Sequence, residues 1–305
     1  MAGLDQRVAI VTGGARGIGR GCAIDLAAHG SDIPAEFTVV TDEFNHTRLE
    51  VMIPMRDGVR LFTVVLIPKD VDEAMPIVLT RTPYNAKAIT TRTTGPDIAM
   101  AASISDEPLV RNGYIRAYQD CRGKYKSEGE YVINRPLRGP LNSSEVDHAT
   151  DAFDTIEWLV ENVPDNNGRV GVTGVSYAGF LTLMALVDPH PALKAAIPVN
   201  AMVDGWLGDD WFHNGAFRPA NLDYIYGQTS TTGDDYQMPH GYYDYYSAVL
   251  ESGSSGEFGK RYGADKLPAW NRLMENPAYT EFWQEQAVDR WLAARELSLI
   301  HISEP

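Results

Sequence analysis

The chain has 305 residues, 44% of them hydrophobic and 10% aromatic, enough for one large α/β domain or two ordinary ones, which excludes wholesale disorder. Its formal net charge is −15, from 41 acidic against 26 basic residues; this argues against nucleic acid and anionic membrane partners and favours cationic ligands, although an acidic soluble surface explains most of it. Cys22 and Cys121 form neither a metal pattern nor a disulfide framework, no stretch approaches a membrane span, and the N-terminus lacks a signal-peptide layout, so this sequence reads as cytoplasmic while the compartment of its parent, the periplasm or secretion included, stays open.

Val8-Ala9-Ile10-Val11 reads as a short strand. It runs into Thr12-Gly13-Gly14-Ala15-Arg16-Gly17-Ile18-Gly19 and then a helical stretch ending at Gly30. Glycines there would let backbone amides approach a pyrophosphate. The segment resembles the cofactor-binding start of short-chain dehydrogenases. The second strand and acidic ribose reader that such a unit needs do not follow. Tyr262 and Lys266 match the Tyr-x-x-x-Lys pair of that family, but far too late in the chain. Residues 1–30 therefore read as a fragment of another gene, and no cofactor is expected.

From about Phe37 the pattern becomes coherent. Val51 to Leu61 reads as two strands around an Asp57-Gly58 turn, and Leu61 to Ile67 as another strand. Pro76 to Thr80 is an apolar strand entering the loop Arg81-Thr82-Pro83-Tyr84, and Tyr114 to Gln119 is another, ending at Asp120-Cys121-Arg122-Gly123. Asp147 to Asn162 is amphipathic, with Ala152, Phe153, Ile156, Leu159 and Val160 on one face. A strand at Arg169 to Thr173, a helix from Phe180 and a strand at Ala195 to Val199 complete the alternation. This order predicts an α/β fold: a mostly parallel sheet with helices on both faces.

Gly174-Val175-Ser176-Tyr177-Ala178-Gly179 stands between the strand at Arg169 and the helix at Phe180. A serine at such a turn is held in strained backbone with its hydroxyl exposed at the end of a sheet. Ala178 replaces the last glycine of the usual G-x-S-x-G pattern. A helix-capping serine is the alternative reading. Residues 204–246 are rich in Trp, Tyr, Asp and Gly, and helices follow to 295. This region reads as an inserted cap over the carboxyl edge of the sheet.

The segments 81–84 and 120–123, together with Ser127-Glu128-Gly129 and 174–179, resemble in this order the S15-type serine hydrolases. That group includes X-prolyl dipeptidyl peptidases, cocaine esterase and α-amino acid ester hydrolases. The stretches 188–194 and 202–218 are similar to the ester hydrolase branch in particular. The resemblance covers about 37–295 and implies an α/β-hydrolase fold with a helical cap, C-terminally incomplete. The organisation expected is a fragment at 1–30, a core at 37–201, a cap at 202–295 and an artefactual tail at 297–305.

The resemblance implies that Ser176 is the nucleophile, that the Tyr177 N–H donates to the oxyanion and that the Tyr84 phenol supplies the second donor. It implies that Asp210, with Asp209 as the alternative register, binds a substrate α-ammonium. The activity implied is hydrolysis of α-amino acid esters through an acyl-enzyme, with acyl transfer to amines such as β-lactam nuclei, by a parent that is a homo-oligomer. An X-prolyl peptidase or cocaine esterase-like hydrolase is the alternative, and a nicotinamide oxidoreductase rests on residues 1–30 alone. Asp120 and Arg122 read as a buried charged pair supporting the Tyr84 and Ser176 loops. His148, His190 and His213 do not match the position of the base. The triad Asp and His are expected after Arg295, outside this chain, which predicts an inactive product. Tyr242, Tyr243, Tyr245 and Tyr246 read as cap packing. No metal site is expected.

Overall fold

The computed structural model describes residues 44–69, 71–91, 95–208, 210–230, 232–233 and 244–293. All of them fall in the unit that begins at Phe44. The dehydrogenase-like segment, Asp209, Tyr242, Tyr243 and the closing tail lie outside the described residues.

Six strands form one sheet: β1 (His46–Pro54), β2 (Arg60–Pro68), β3 (Met75–Thr82), β4 (Ile115–Asp120), β5 (Asn166–Val175) and β6 (Leu193–Val199), in the order β1-β2-β4-β3-β5-β6. β1 and β2 pair antiparallel around the Asp57-Gly58 turn, where Gly58 has a φ of 83°. β2 is also antiparallel to β4, whereas β4, β3, β5 and β6 are mutually parallel. The expected mostly parallel sheet is therefore present, with an antiparallel margin. β5 starts at Asn166, three residues ahead of the apolar run, because Asn166 aligns with Met75 across an irregular register.

β2 and β4 are buried along nearly their whole length, as befits strands covered on both faces. On one face, helix α2 (His148–Asn162) presents Ala152, Ile156 and Leu159 to Ile77, Leu79, Val170 and Val172. Asp147 starts this helix with a reciprocal capping box: its carboxylate accepts the Thr150 N–H at 2.8 Å and its own N–H meets Thr150 Oγ1 at 2.9 Å. The other face packs Phe62, Val64, Leu66 and Tyr118 against Ala86, Ile98 and Val110. Helix α3 (Tyr177–Val187) follows β5 and is apolar almost all round; Phe180, Leu181 and Met184 join a cluster with Trp211, Trp270 and Trp283. Short helices between Leu222 and Leu292 thereby rest on the helix that begins at Ser176.

A buried polar network braces the sheet beneath α2. Arg81, fully buried, donates to Gln119 Oε1 at 2.8 Å and to the His148 carbonyl at 2.7 Å. Arg122 grips Asp151 through Nη2 at 2.6 Å and Nε at 3.2 Å, and reaches Asp57 through Nη1 at 2.7 Å. The expected Asp120–Arg122 pair does not form. Asp120 ends β4 facing the Tyr84 loop, and after Cys121 the chain has turned, so Arg122 faces α2 instead. Asp120 accepts the Ala86 N–H at 2.6 Å, at the start of helix α1 (Ala86–Ile89).

Candidate active site

Ser176 sits between β5 and α3 with φ 58° and ψ −121°, a conformation disfavoured for a side chain with a Cβ. Backbone bonds hold it there: its N–H donates to the Val199 carbonyl on β6 and its carbonyl accepts from Phe180 N–H, both at 2.9 Å. The small residues around it are dictated by backbone proximity. A Cβ on Gly174 would lie 2.4 Å from the Ala178 carbonyl oxygen, and one on Gly179 would lie 2.7 Å from that of Val199. Ser176 is exposed and its hydroxyl makes no capping bond to α3. The cap reading is thereby set aside.

β3 and β5 are adjacent and parallel, and Thr80 Oγ1 donates to the Thr173 carbonyl at 2.9 Å. Their C-terminal ends deliver Tyr84 and Ser176 to one edge of the sheet, where α/β folds place ligands. Tyr84 is half-buried, its N–H donating to Thr82 Oγ1 at 3.0 Å and its phenol oxygen 3.1 Å from that of Tyr224. Burial, reinforced by Tyr84, pushes the Tyr224 phenol far above its ordinary range, so it stays neutral and able to donate. Tyr224 and Ser176 line a common cleft with Asn134, Asn200, Asp210 and Trp211.

Tyr177 is the first residue of α3, so its N–H has no intrahelical acceptor. Its ring is buried, edge-on to Phe180 with centroids 5.6 Å apart, and its phenol oxygen accepts the Asn134 N–H at 2.8 Å. Burial raises that phenol well above its usual value. The side chain therefore anchors the 131–135 loop.

Asp210 is exposed on the cleft wall, with the Arg218 guanidinium 3.8 Å from its carboxylate. The Asn221 side-chain amide donates to its carbonyl. No helix begins at Trp211; Phe212–His213 and Ala216–Phe217 form a small hairpin.

None of His148, His190 and His213 hydrogen-bonds the Ser176 hydroxyl. His148 is wholly buried beneath Tyr177 and Phe180, with neither ring nitrogen bonded, and desolvation first, then Arg81, pushes its pKa well below the usual value. His190 accepts the Ala192 N–H at 3.1 Å and stacks edge-on against Phe153. His213 is exposed in the hairpin. Among the described residues, no side chain hydrogen-bonds the Ser176 hydroxyl. Nor does any group of three or more His, Cys, Asp or Glu among them suit a metal ion, and no helix is long and apolar enough to cross a membrane.

Sequence reasoning missed Asn134, Asn200, Met202 and Tyr224, which reach the cleft from separate loops and a helix. Their one local signal is residue type: Asn134 and Asn200 occupy left-handed backbone at φ 49° and 46°, a conformation asparagine tolerates.

A family model described as X-Pro dipeptidyl-peptidase (S15 family) matches residues 57–303. The fold is similar to that of a solved α-amino acid ester hydrolase, at 52% identity and a TM-score of 0.82, covering 88% of this chain and 44% of that one. An aminopeptidase from the marine sediment archaeon Thaumarchaeota archaeon is similar at 50% identity and a TM-score of 0.81, again over 88% of this chain and 44% of that one. Cocaine esterase of Rhodococcus sp. (strain MB1 Bresler) is 38% identical over 154 residues, 50% of this chain and 23% of that protein. The chain thus spans less than half the length of each. These neighbours share the α/β-hydrolase fold expected from the alternating elements.

Proposed function

Because the chain belongs to the X-Pro dipeptidyl-peptidase (S15) family, we propose that it carries the nucleophile half of a serine hydrolase acting on α-amino acid esters through an acyl-enzyme. The observation that carries this reading is Ser176. It is exposed, strained at φ 58° and relieved of any capping role, and it opens on a cleft that also contains Asp210. A polypeptide retains such strain where the surroundings over-determine it and chemistry uses it.

In this reading Ser176 Oγ adds to the ester carbonyl, the alcohol leaves, and water or an amine then takes the acyl group from the serine. The developing oxyanion sits at the N-terminus of α3, where the Tyr177 N–H and the helix dipole stabilise negative charge. The Tyr84 phenol, oriented by Tyr224, gives the second hydrogen bond; one such donor is worth about 3 kcal/mol in the transition state. Asp210 receives the substrate α-ammonium by a charge-assisted bond, which fixes the acyl carbon against Ser176. The segment 202–295 serves as the cap that closes this cleft. Transfer of the acyl group to amines, β-lactam nuclei among them, follows when the acceptor outcompetes water.

Ser176 has no base among the described residues, so the test supplies one. Alanine methyl ester hydrolysis by the 305-residue chain is followed with and without added imidazole, which can reach the exposed hydroxyl. We expect negligible turnover alone, an imidazole-dependent rate lost in Ser176→Ala, and slower turnover of the N-acetylated ester, which lacks the ammonium. A rate unchanged by Ser176→Ala defeats the hydrolase reading. Equal turnover of the N-acetylated ester defeats only the α-amino specificity and favours a cocaine esterase-like enzyme.

A further inference from the structure

A second cavity shares Asn134, Met202 and Trp211 with the Ser176 cleft. Its other walls are largely apolar, with Ile133, Ile225, Leu273, Phe282 and Trp283 among them. Three polar side chains interrupt these walls: Asn134, Arg272 and Gln286, whose Nε2 donates to the Phe282 carbonyl at 2.8 Å. Asn134 Oδ1 is buried and has no hydrogen-bond partner among the described residues, while the amide nitrogen of the same side chain contacts Met202 Sδ at 3.4 Å. Arg272, on the helix Pro268–Glu275, is half-buried and has no hydrogen-bond or ion-pair partner among the described residues. A buried acceptor without a donor is unfavourable, whereas the half-buried Arg272 guanidinium is not among the buried unpartnered groups and offers its N–H groups to a ligand. One ligand that offers both a donor and an acceptor satisfies Asn134 Oδ1 and engages Arg272.

The cavity volume of about 50 Å³ has room for a few water molecules, so it admits the end of a side chain and not a ring. We propose that this cavity is an acyl-side-chain subsite for a terminal carboxamide, as in a glutaminyl ester: the carboxamide oxygen accepts from Arg272 and its N–H₂ donates to Asn134 Oδ1. A carboxylate would satisfy Arg272 but set an acceptor against Asn134 Oδ1. An apolar side chain would leave both groups unmet. Desolvation first, and then the like charge of Arg135, lower the pKa of Arg272 from the ordinary guanidinium value, against an opposing influence of Tyr177. Asn134 is held in place from the other side, because its N–H donates to the phenol of Tyr177, the residue after Ser176. The subsite is thereby tied to the elbow. This proposal rests on the α-amino ester reading, with Asp210 holding the ammonium at the mouth of the cleft.

The test measures binding, using the 305-residue chain with Ser176→Ala so that no ester is consumed. Trp211 and Trp283 line the cavity, so intrinsic fluorescence reports occupancy. Affinities are compared for the methyl esters of glutamine and norleucine and the α-methyl ester of glutamate. The glutamine ester should bind about tenfold tighter than the norleucine ester or better, and tighter than the glutamate ester. Arg272→Met and Asn134→Gly should each erase most of that preference. Glycine suits the left-handed backbone at position 134 (φ 49°), so this variant remains informative should Arg272→Met fail to fold. Equal binding of glutamine and norleucine esters, a preference unmoved by either variant, or tighter glutamate binding overturns the proposal. Asp210→Asn separates the underlying reading: it should weaken all three esters alike. If it has no effect while the glutamine preference stands, the ammonium assignment falls and the subsite survives. If no ester binds, both fall.

Discussion

Asp120 allows a sharp test of how the Tyr84 loop is held. The residue is fully buried; Oδ1 accepts the Ala86 N–H at 2.6 Å, and Oδ2 has no hydrogen-bond partner among the described residues. Desolvation is the largest influence and raises its pKa from 3.8 to about 6. The Ala86 amide, the Lys126 amide (which does not meet Oδ2 in hydrogen-bond geometry), Lys126 and Lys124 favour the ionised form without offsetting that burial. The folded state therefore keeps its proton at a pH where the unfolded chain has lost it. Between the two pKa values the native state binds more protons, so this group makes stability fall as pH rises. The whole effect is about 3 kcal/mol, of which about 2 kcal/mol falls between pH 4.5 and 7.5. Asp120→Asn keeps an acceptor for Ala86 and cannot ionise. Relative to the parent chain it should gain about 2 kcal/mol on going from pH 4.5 to 7.5, measured by urea denaturation of both proteins at both pH values. Taking the difference cancels every other carboxylate. A difference between the two proteins that does not change with pH would refute the assignment of a protonated, buried Asp120.

Three other outcomes are expected. Ser176→Gly removes the Cβ from a position at φ 58° and should raise stability by about 1 kcal/mol or more in equilibrium denaturation; a loss of stability would mean the turn is not strained. Gly174→Ala sets a Cβ 2.4 Å from the Ala178 carbonyl oxygen and should cost about 2 kcal/mol or more, read as a lowered denaturation midpoint; a neutral substitution would show that β5 and α3 are further apart. Among the described residues β6 ends the sheet, and its Ile197 and Val199 are 60% and 38% exposed, beside Val175 at the end of β5 at 57%. An apolar edge of this kind templates pairing, so the chain should self-associate with concentration in sedimentation velocity, and Ile197→Lys should suppress it. A monomer at every concentration would contradict that expectation.

The sequence by itself determined the elements and the bend. Alternating apolar strands and amphipathic helices need only local periodicity to be read, and the boundaries of β2, β4 and α2 follow from it within a few residues. The elbow was legible for a similar reason: Gly174, Ala178 and Gly179 are small because of backbone contacts within a few positions of Ser176, save for the approach of Val199. The antiparallel pairing of β2 with β4, and the partners of the buried charges, were not local. Asp120 and Arg122 lie two residues apart, yet they diverge because one meets the helix start at Ala86 and the other meets Asp57 and Asp151. Likewise Asn134, Tyr224 and Arg272 carry no spacing pattern, since each comes to the cleft or the second cavity from a different part of the chain. Side-chain type and short-range period are properties of the chain. Which buried donor faces which acceptor is fixed only when the sheet edge, α3 and the overlying helices close on one another.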